Sequence, residues 1–545
     1  MRCNFILLVL FVLINSGLVA QKYYSNNPKL VIGIVIDQMR YDYLTRFDKK
    51  YGSSGFKRLL KNGFSLENAH YNYIPTYTAV GHASIFTGTT PSNHGIIGNN
   101  WYDKYEKSSI YCVDDENYQT VGNRGNKGEK SPYRLVTTTV ADQLRLAQNM
   151  QGKSIGIAIK DRSAILPVGH TASAAYWFDG EKNGDWITSS YYLNSLPEWV
   201  RDFNNSEKAD AYLSTPWNTL YDIETYSESI EDDNSFEATF KGQKKPVFPH
   251  NIPKLRRKNN NFSILKKIPA GNSFTTDFAK AAIIGENLGQ SEHTDFLSIS
   301  YSSTDYVGHQ FGVASKEIED TYLRLDKDLA SLFNFLDNKI GKSNYVLFLT
   351  ADHAATQVPS YLKSVKIPGN YIKPVKFISF LKEVTQKHFN SDELIENFSN
   401  FQIFLDKEKI ESLKLNYENV SNVIANASIT YKGIYKALTA KTIQSTTFTQ
   451  GILNSLQNGY NQKFSGDILL IPNPSTIIYP QKGTTHGSGY SYDTHVPIIF
   501  YGKGIKQGSS KRKYEITDIA PTISNLLNIE FPNGNSGRII EEIFK

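Results

Sequence analysis

The chain of 545 residues has only two cysteines, three methionines and five tryptophans. Cys3 lies in an apolar N-terminal stretch. If that stretch is removed, Cys112 has no partner for an intramolecular disulfide. A lone cysteine is more often a small buried apolar side chain than a nucleophile, and we expect this of Cys112. Stability must therefore come from the apolar core, with bound metals as an addition.

An excess of one charge and a membrane-spanning segment are also missing. Lys and Arg number 59 and Asp and Glu 53, so the net charge is only +6, which is too small to indicate a nucleic-acid-binding protein. Beyond residue 20 no run reaches the ~20 apolar residues needed to cross a bilayer. We therefore expect neither nucleic acid as a specific partner nor stable insertion into a membrane. A composition of 40% hydrophobic and 21% charged residues also excludes a wholly disordered chain.

The first 20 residues are typical of a secretory signal peptide. A basic start at Arg2 precedes the apolar residues 5–13, and the small residue Ala20 ends the segment. The alternative is an uncleaved anchor, and Leu18 is unusual so close to a cleavage site. We expect an exported protein, periplasmic or secreted, with a mature chain of residues 21–545.

Apolar, β-branched runs predict the buried strands of a mostly parallel sheet. They span residues 30–36, 153–159, 295–300, 345–349 and 496–501. Helical patterns lie between them, at 137–150, at 316–340 and after 516. This alternation predicts an α/β fold with helices on both faces of the sheet.

Two long segments do not follow this alternation. Residues 165–290 are rich in Tyr, Trp, Asn, Ser and Asp, and residues 357–480 contain several helical and short strand patterns. We interpret both as insertions at the edge of the sheet where a ligand would enter.

Carboxylate and imidazole side chains follow the predicted strands, or lie in a loop close to the last one. They are Asp37, Asp305, His309, Asp352, His353 and His486. The carboxyl ends of parallel strands meet at one edge of a sheet, so we expect these side chains to lie close together. Mixed oxygen and nitrogen ligands suit zinc or a similar transition metal, and six of them suffice for two sites. Each residue alone has an ordinary role, such as a helix cap, and the recurrence favours a two-metal site.

Thr78 is the candidate nucleophile. It follows a turn at Pro75 and precedes a helical pattern at residues 79–86, which places its hydroxyl at the positive end of a helix dipole. A plain N-cap role is the alternative. His82, on the same helix, is expected to be structural.

Three side chains could bind an anion beside this hydroxyl. The amide of Asn99 could donate to a phosphoryl oxygen. Lys160 and Arg162 follow the strand at 153–159, and two residues apart in extended backbone they would face one anion together. A Lys-x-Arg pair taken alone is usually surface decoration.

Together these motifs resemble the alkaline phosphatase superfamily, and most closely its secreted, phosphate-irrepressible bacterial members that use a threonine nucleophile. The resemblance covers nearly the whole mature chain and is carried by residues 31–40, 75–88, 91–102, 303–312, 493–497 and 518–522. It implies a three-layer α/β/α sandwich with inserted cap segments. It also implies hydrolysis of phosphate monoesters over a broad substrate range. We expect the protein to be a monomer.

The resemblance further implies two zinc ions and a role for each candidate residue. One ion would be held by Asp305, His309 and His486. The other would be held by Asp37, Asp352 and His353 and would also bind Thr78. The threonine would attack phosphorus in line and form a phospho-threonine, while Asn99, Lys160 and Arg162 would bind the non-bridging oxygens. Lys160 would also stand where some relatives hold a third metal.

Two alternatives remain open. A phosphodiesterase or nucleotide pyrophosphatase of the same superfamily would share the metals, and often the threonine and asparagine, but would have an apolar pocket for its second organic group. A secreted phosphate- or metal-binding protein would bind zinc without turnover. An arylsulfatase is excluded because the residues after Cys112 do not match its modification motif. A phosphoglycerate mutase is disfavoured because that enzyme uses serine and manganese.

Overall fold

The computed structural model describes residues 27–545, and the predicted signal peptide lies outside this range. The described strands are β1 Leu30–Ile36, β2 Phe64–His70, β3 Asn100–Asp103, β4 Ser108–Tyr111, β5 Thr120–Val121, β6 Ser154–Ala158, β7 Ala174–Asp179, β8 Asp185–Ser189, β9 Asp295–Tyr301, β10 Tyr345–Thr350, β11 Asn370–Tyr371, β12 Ile395–Ser399, β13 Gln402–Leu405, β14 Ile434–Thr439, β15 Ile468–Pro472, β16 Thr476–Ile477, β17 His495–Gly502 and β18 Gly508–Glu515.

The α-helices of the same residues are α1 Tyr43–Arg46, α2 Phe56–Asn62, α3 Thr78–Thr87, α4 Pro91–His94, α5 Val140–Ala147, α6 Asp161–Val168, α7 Glu198–Asn205, α8 Lys208–Leu213, α9 Ile252–Leu255, α10 Ala270–Gly285, α11 Ser303–Phe311, α12 Lys316–Leu336, α13 Pro359–Ser364, α14 Pro374–Phe389, α15 Lys407–Ser412, α16 Tyr417–Ser428, α17 Ala440–Ser445, α18 Gly451–Gly459, α19 Ser491–Thr494 and α20 Ile519–Leu527.

A ten-stranded sheet forms the centre of the molecule, in the order β18-β2-β17-β10-β1-β9-β6-β7-β8-β5. Its five middle strands, from β10 to β7, are parallel. The strand predicted at 496–501 is β17, which runs antiparallel to β10. The sheet is therefore parallel where it carries the candidate residues and mixed towards both edges.

Strand β1 is central because its sequence allows no other position. All seven of its residues are buried, and six are Leu, Val or Ile. Each such side chain contributes about 1.5–3 kcal/mol when it is fully buried. The helices pack in two groups, one containing α3, α5, α6 and α20 and the other α7, α10, α11 and α12. They cover the two faces of the sheet and complete a three-layer α/β/α sandwich.

The first predicted insertion differs from the structure. Strands β7 and β8 lie inside residues 165–290, yet they extend the central sheet beside β6. The interpretation of this part as an insertion at the sheet edge was wrong, because the aromatic run Ala174–Asp179 is a fully buried strand. Aromatic residues favour strands as β-branched residues do.

The second predicted insertion contains a separate small sheet. Within residues 357–480, β12, β13, β15 and β14 pair antiparallel in that order. This sheet and helices α14 and α16 share their own apolar core, which includes Phe377, Leu381, Ile403 and Ile424. We call this unit the cap. The exact domain limits stay a prediction.

Two local predictions are refined by the structure. The helix expected at 137–150 begins at Val140, because Thr139 and Asp142 form a capping box. Cys112 is free and fully buried, as expected, and burial raises the pKa of its thiol.

Candidate active site

The carboxyl ends of three adjacent strands bring the predicted acidic residues together. Asp37 directly follows β1, Asp352 follows β10 and Asp305 lies in the first turn of α11 after β9. All three carboxylates are buried. The register of the parallel sheet therefore gathers residues that are more than 300 positions apart in the chain.

Five of the six candidate ligands form two overlapping buried groups, and His309 lies beside them, half-buried. Asp37, Asp352 and His353 form the first group, with ligand atoms all within 4.8 Å of one another. The second group consists of Asp305, His353 and His486. It contains His353 where the resemblance implied His309, and the Nε2 of His309 lies 3.1 Å from Asp305 Oδ1. The rings of His353 and His486 stack at 3.4 Å between centroids, which joins the groups.

The three histidines share one orientation. The Nδ1 of His309 lies 2.7 Å from the carbonyl oxygen of Thr484. The Nδ1 of His486 lies 2.7 Å from the carbonyl of Thr76. The Nδ1 of His353 lies 3.1 Å from the carbonyl of Ala354. A carbonyl oxygen can only accept, so each Nδ1 carries the proton and donates it.

Burial lowers the pKa of both His353 and His486, so the opposite nitrogen of each of these two neutral rings is a bare lone pair that faces carboxylate oxygens. The Nε2 of His353 lies 3.5 Å from Asp37 Oδ1 and 3.5 Å from Asp352 Oδ2. The Nε2 of His486 lies 3.7 Å from Asp305 Oδ1. Lone pairs and carboxylates repel each other unless a cation lies between them, and a backbone acceptor on the other ring nitrogen is typical of histidine ligands to metals.

The carboxylate oxygens that face the lone pair of His353 also lack hydrogen-bond donors. Asp37 Oδ1 and Asp352 Oδ2 are buried and accept no hydrogen bond within residues 27–545. Burial raises the pKa of Asp37 to about 6, despite the opposing charge of Lys160. Burial and the neighbouring Asp37 raise the pKa of Asp352 well above its ordinary value. A divalent cation would supply the missing charge, so the donors present fit a metal centre.

Thr78 lies at the point expected for a nucleophile. Helix α3 begins at Thr78, which is buried. Its Oγ1 lies 3.4 Å from His353 Nε2 and accepts a hydrogen bond of 3.3 Å from Lys160 Nζ. His82 lies one turn along the helix, with its Nδ1 on the carbonyl oxygen of Thr78 at 2.8 Å and its Nε2 on Ser300 Oγ at 2.9 Å. Burial lowers the pKa of His82 to about 3, so it anchors the helix as a neutral ring.

Gly81 lets helix α3 approach the loop that contains Asp352. A Cβ added at Gly81 would overlap the carbonyl oxygen of Asp352. We expect Gly81→Ala to move Thr78 away from the cluster, to destabilise the fold by about 1–3 kcal/mol and to lower kcat/KM by about 10²-fold, as misplacement by about 1 Å does. Thermal unfolding and steady-state kinetics measure both effects.

Gly52→Ala is the control, since its added Cβ meets nothing closer than 3.4 Å. Equal activity of the two variants would contradict this role of Gly81.

Lys160 stands between the two ligand groups. Its Nζ donates to Asp37 Oδ2 at 2.7 Å and to Asp305 Oδ2 at 2.6 Å. Burial would lower the pKa of Lys160, but the two carboxylates raise it above its ordinary value, so the ammonium stays charged. A fixed positive charge therefore lies within reach of both groups and of the Thr78 hydroxyl.

Arg162 reaches the site by a different geometry from the predicted one. The backbone is not extended after Lys160, because α6 begins at Asp161 and places Arg162 in its first turn. The Arg162 Nη1 donates to the Tyr111 hydroxyl at 2.9 Å, and that hydroxyl donates to Asp161. The positive charge of the guanidinium acts to lower the pKa of Lys160. Lys160 and Arg162 are thus brought towards the same site by the first turn of a helix and not by an extended strand.

Asn99 is held next to the nucleophile. Its Oδ1 accepts a hydrogen bond of 2.8 Å from the backbone N–H of Ala79, the residue after Thr78. Its Nδ2 makes no hydrogen bond within the described part of the chain, so this group is free to donate to a bound anion.

Comparison with known proteins agrees with this geometry. Residues 31–496 match the model of the family Type I phosphodiesterase / nucleotide pyrophosphatase. That match spans most of the chain. The chain belongs to this family.

Three relatives place the chain within the family. Alkaline phosphatase PhoV of Synechococcus elongatus is 47% identical over 520 residues, covering 95% of this chain and 93% of that protein. A protein of Myroides odoratus named calcium-transporting ATPase is 46% identical over 519 residues, covering 94% of each. Alkaline phosphatase PafA of Elizabethkingia meningoseptica is 44% identical over 543 residues, covering 98% of each. The solved structure of wild-type PafA matches at a TM-score of 0.92, covering 95% of this chain and 99% of that one. The chain is a PafA-like alkaline phosphatase, a phosphate monoester hydrolase with the α/β fold of that family.

Sequence reasoning missed three residues that shape the site of this phosphatase. Gln38 donates from its backbone to Asp352 at 3.1 Å and from its side chain to Asp305 at 2.7 Å, so it orients one ligand of each group. Its position beside Asp37 was the one available signal. Tyr111 holds Arg162, and no local pattern marks it. Asp493 accepts hydrogen bonds from Ser488 and so ties down the loop that carries His486.

No helix of residues 27–545 combines the length and the apolarity needed to cross a membrane.

Proposed function

We propose that this phosphatase is a zinc-dependent monoesterase of broad substrate range that acts through a phospho-threonine at Thr78. The observation that carries the proposal is the set of bare Nε2 atoms facing buried carboxylates, directly beside a threonine hydroxyl at a helix N-terminus. The relatives' names support phosphate chemistry, since two are alkaline phosphatases and one is an ATPase.

The proposed metal ligands follow the chemistry of the donors. Asp37, Asp352, His353 and Thr78 would hold one zinc ion, and Asp305, His309 and His486 the other. When bound, the two ions supply positive charge where the entering and leaving oxygens become negative. Oxygen and imidazole donors together suit zinc better than calcium or magnesium, which prefer oxygen alone.

The nucleophilic step uses groups that the structure places around Thr78. Lys160 Nζ lies 3.3 Å from the Thr78 oxygen and favours its anionic form, as does the N-terminus of α3. The oxygen attacks phosphorus, and the bond between phosphorus and the leaving oxygen breaks. Attack of water on the phospho-threonine then releases inorganic phosphate and restores the hydroxyl.

The preference for monoesters follows from the charges that face the phosphoryl group. A monoester dianion presents three terminal oxygens, whereas a diester presents two and carries a second organic group. Lys160 and Arg162 supply two cations and Asn99 a free amide N–H, which match three oxygens. Charge-assisted hydrogen bonds of this kind are roughly twice as strong as neutral ones.

The arginine gives a direct test of this preference. We expect Arg162→Ala to lower kcat/KM for p-nitrophenyl phosphate by about 10–10²-fold, the loss of one or two charge-assisted bonds. The effect on bis-p-nitrophenyl phosphate should be much smaller. Arg162→Lys keeps the charge but not the forked guanidinium, so its kcat/KM should fall between those of the wild type and Arg162→Ala. Arg324→Ala is the control: Arg324 forms an ion pair with Asp320 in α12, and its loss should leave both rates unchanged. Equal losses on the two substrates, or a wild-type preference for the diester, would favour the phosphodiesterase alternative.

Export and a monomeric state remain proposals from the sequence. N-terminal sequencing of the protein from the periplasm and the medium tests the first. Light scattering of the purified enzyme tests the second.

A further inference from the structure

A cavity of about 240 Å³ lies beside His486 and is lined in part by residues of the cap. Tyr77 and the loop of His486 line it, together with Ile477 and with Asn400 and Phe401 of the cap. Among the described residues around this cavity none is Lys or Arg. Its one carboxylate, Asp493, is already bonded to Ser488. The cavity therefore offers apolar and neutral polar surface and no site for a second anion.

The cap contributes to this cavity through the tip of one hairpin. Strands β12 and β13 pair directly at Ser399 and Gln402, so Asn400 and Phe401 form a two-residue turn. Both have positive φ, 52° for Asn400 and 57° for Phe401. Such turns favour Asn followed by Gly, and a bulky aromatic residue is strained in this conformation. Residues with strained backbone conformations are concentrated at functional sites, so the conformation of Phe401 indicates a functional role.

The same tip is fixed to the backbone next to the phosphate-binding amide. Asn400 Nδ2 donates to the carbonyl oxygen of Asn100 at 2.7 Å. A Cβ at Gly98 would come within 2.8 Å of that Nδ2, so glycine is needed for the approach. Asn99 lies between these two contacts. The tip thus contacts the backbone next to Asn99 and lines the same cavity as His486. These contacts hold it in place before any substrate binds.

We propose that Asn400 and Phe401 form the wall of a pocket for the aromatic leaving group of aryl phosphate monoesters. This rests on the proposed function, in which Asp305, His309 and His486 lie on the side of the leaving oxygen. The organic group of the ester then projects towards His486 and the adjoining cavity. Phe401 and Tyr77 both offer aromatic surface to a flat uncharged ring in this cavity, whereas a polyphosphate chain would meet no cation there. The tip therefore sets specificity without touching the phosphoryl group.

The test compares phenyl phosphate with methyl phosphate. The ratio of their kcat/KM values is measured for the wild type and for each variant, so that the intrinsic reactivity of the esters cancels. We expect Phe401→Ala to lower this ratio about tenfold, the effect of losing one buried aromatic contact. Phe401→Asn removes the ring but suits the left-handed turn, and it should lower the ratio equally while keeping the hairpin folded.

Phe389→Ala is the matched control, because Phe389 also packs partly buried against the apolar core of the cap but does not line the cavity. It should leave the ratio unchanged. A wild-type ratio in both Phe401 variants, or an equal fall in Phe389→Ala, would overturn the proposal. Failure of the proposed function would appear differently, as turnover of both monoesters by metal-free protein or without phosphate on Thr78.

Discussion

Thr78→Val should lower kcat/KM for phosphate monoesters by at least ~10³-fold, which is the scale of losing a nucleophile. Valine keeps the shape of threonine at the start of α3 and replaces only the hydroxyl by a methyl group. The neighbouring groups, Lys160 and His353, stay in place but have no oxygen to activate. Steady-state kinetics with p-nitrophenyl phosphate measures the loss.

Labelling with radioactive phosphate separates a nucleophile from a merely structural threonine. The wild type, quenched in acid during turnover, should carry phosphate on the peptide that contains Thr78, and Thr78→Val should carry none. Thr78→Ser retains a hydroxyl and should keep both labelling and much of the activity. Labelled phosphate on the valine variant, or near-normal turnover by it, would show that the covalent step uses another residue.

Removal of bound metal should have an effect of similar size. Each of the two proposed ions would supply several kcal/mol of charge stabilisation at the entering or leaving oxygen, so chelation should reduce activity by at least ~10³-fold. Zinc should restore the activity, and magnesium or calcium alone should not, because the cluster offers three imidazole nitrogens. Metal content and kcat/KM are measured on the same samples.

A stability readout accompanies this prediction. Without metal, the lone pair of His353 faces the carboxylates of Asp37 and Asp352, and the lone pair of His486 faces the carboxylate of Asp305. The metal-free protein should therefore unfold at a lower temperature, and zinc should raise its midpoint in a concentration-dependent way. Full activity in protein shown to be free of metal would contradict the proposal.

Much of the catalytic centre could be predicted from the sequence because its residues follow strongly patterned strands. Strand β1 is a continuous apolar run, so it had to be central, and Asp37 follows it directly. The same reasoning placed Asp352 and Asp305 at the same edge. Parallel topology converts a local rule, a polar residue at a strand end, into a statement about three-dimensional proximity.

Contacts between distant segments could not be predicted in this way. Tyr111 binds Arg162 across 51 positions, and Asn400 binds Asn100 across 300, and neither pair has a periodic signal. The geometry at Lys160 was mispredicted because a helix begins at the next residue, where an extended chain was assumed. Aromatic strand β7 was assigned to an insertion since its sequence lacks the β-branched run that marks the other central strands.

Anomalous diffraction from crystals of the purified enzyme, recorded above and below the zinc absorption edge, tests the metal centre most directly. Two peaks should appear only above the edge, one among Asp37, Asp352 and His353 and the other among Asp305, His309 and His486. Thr78 Oγ1 should lie within coordination distance of the first. A single peak, peaks of another element, or a threonine oxygen remote from both would contradict the two-zinc mechanism.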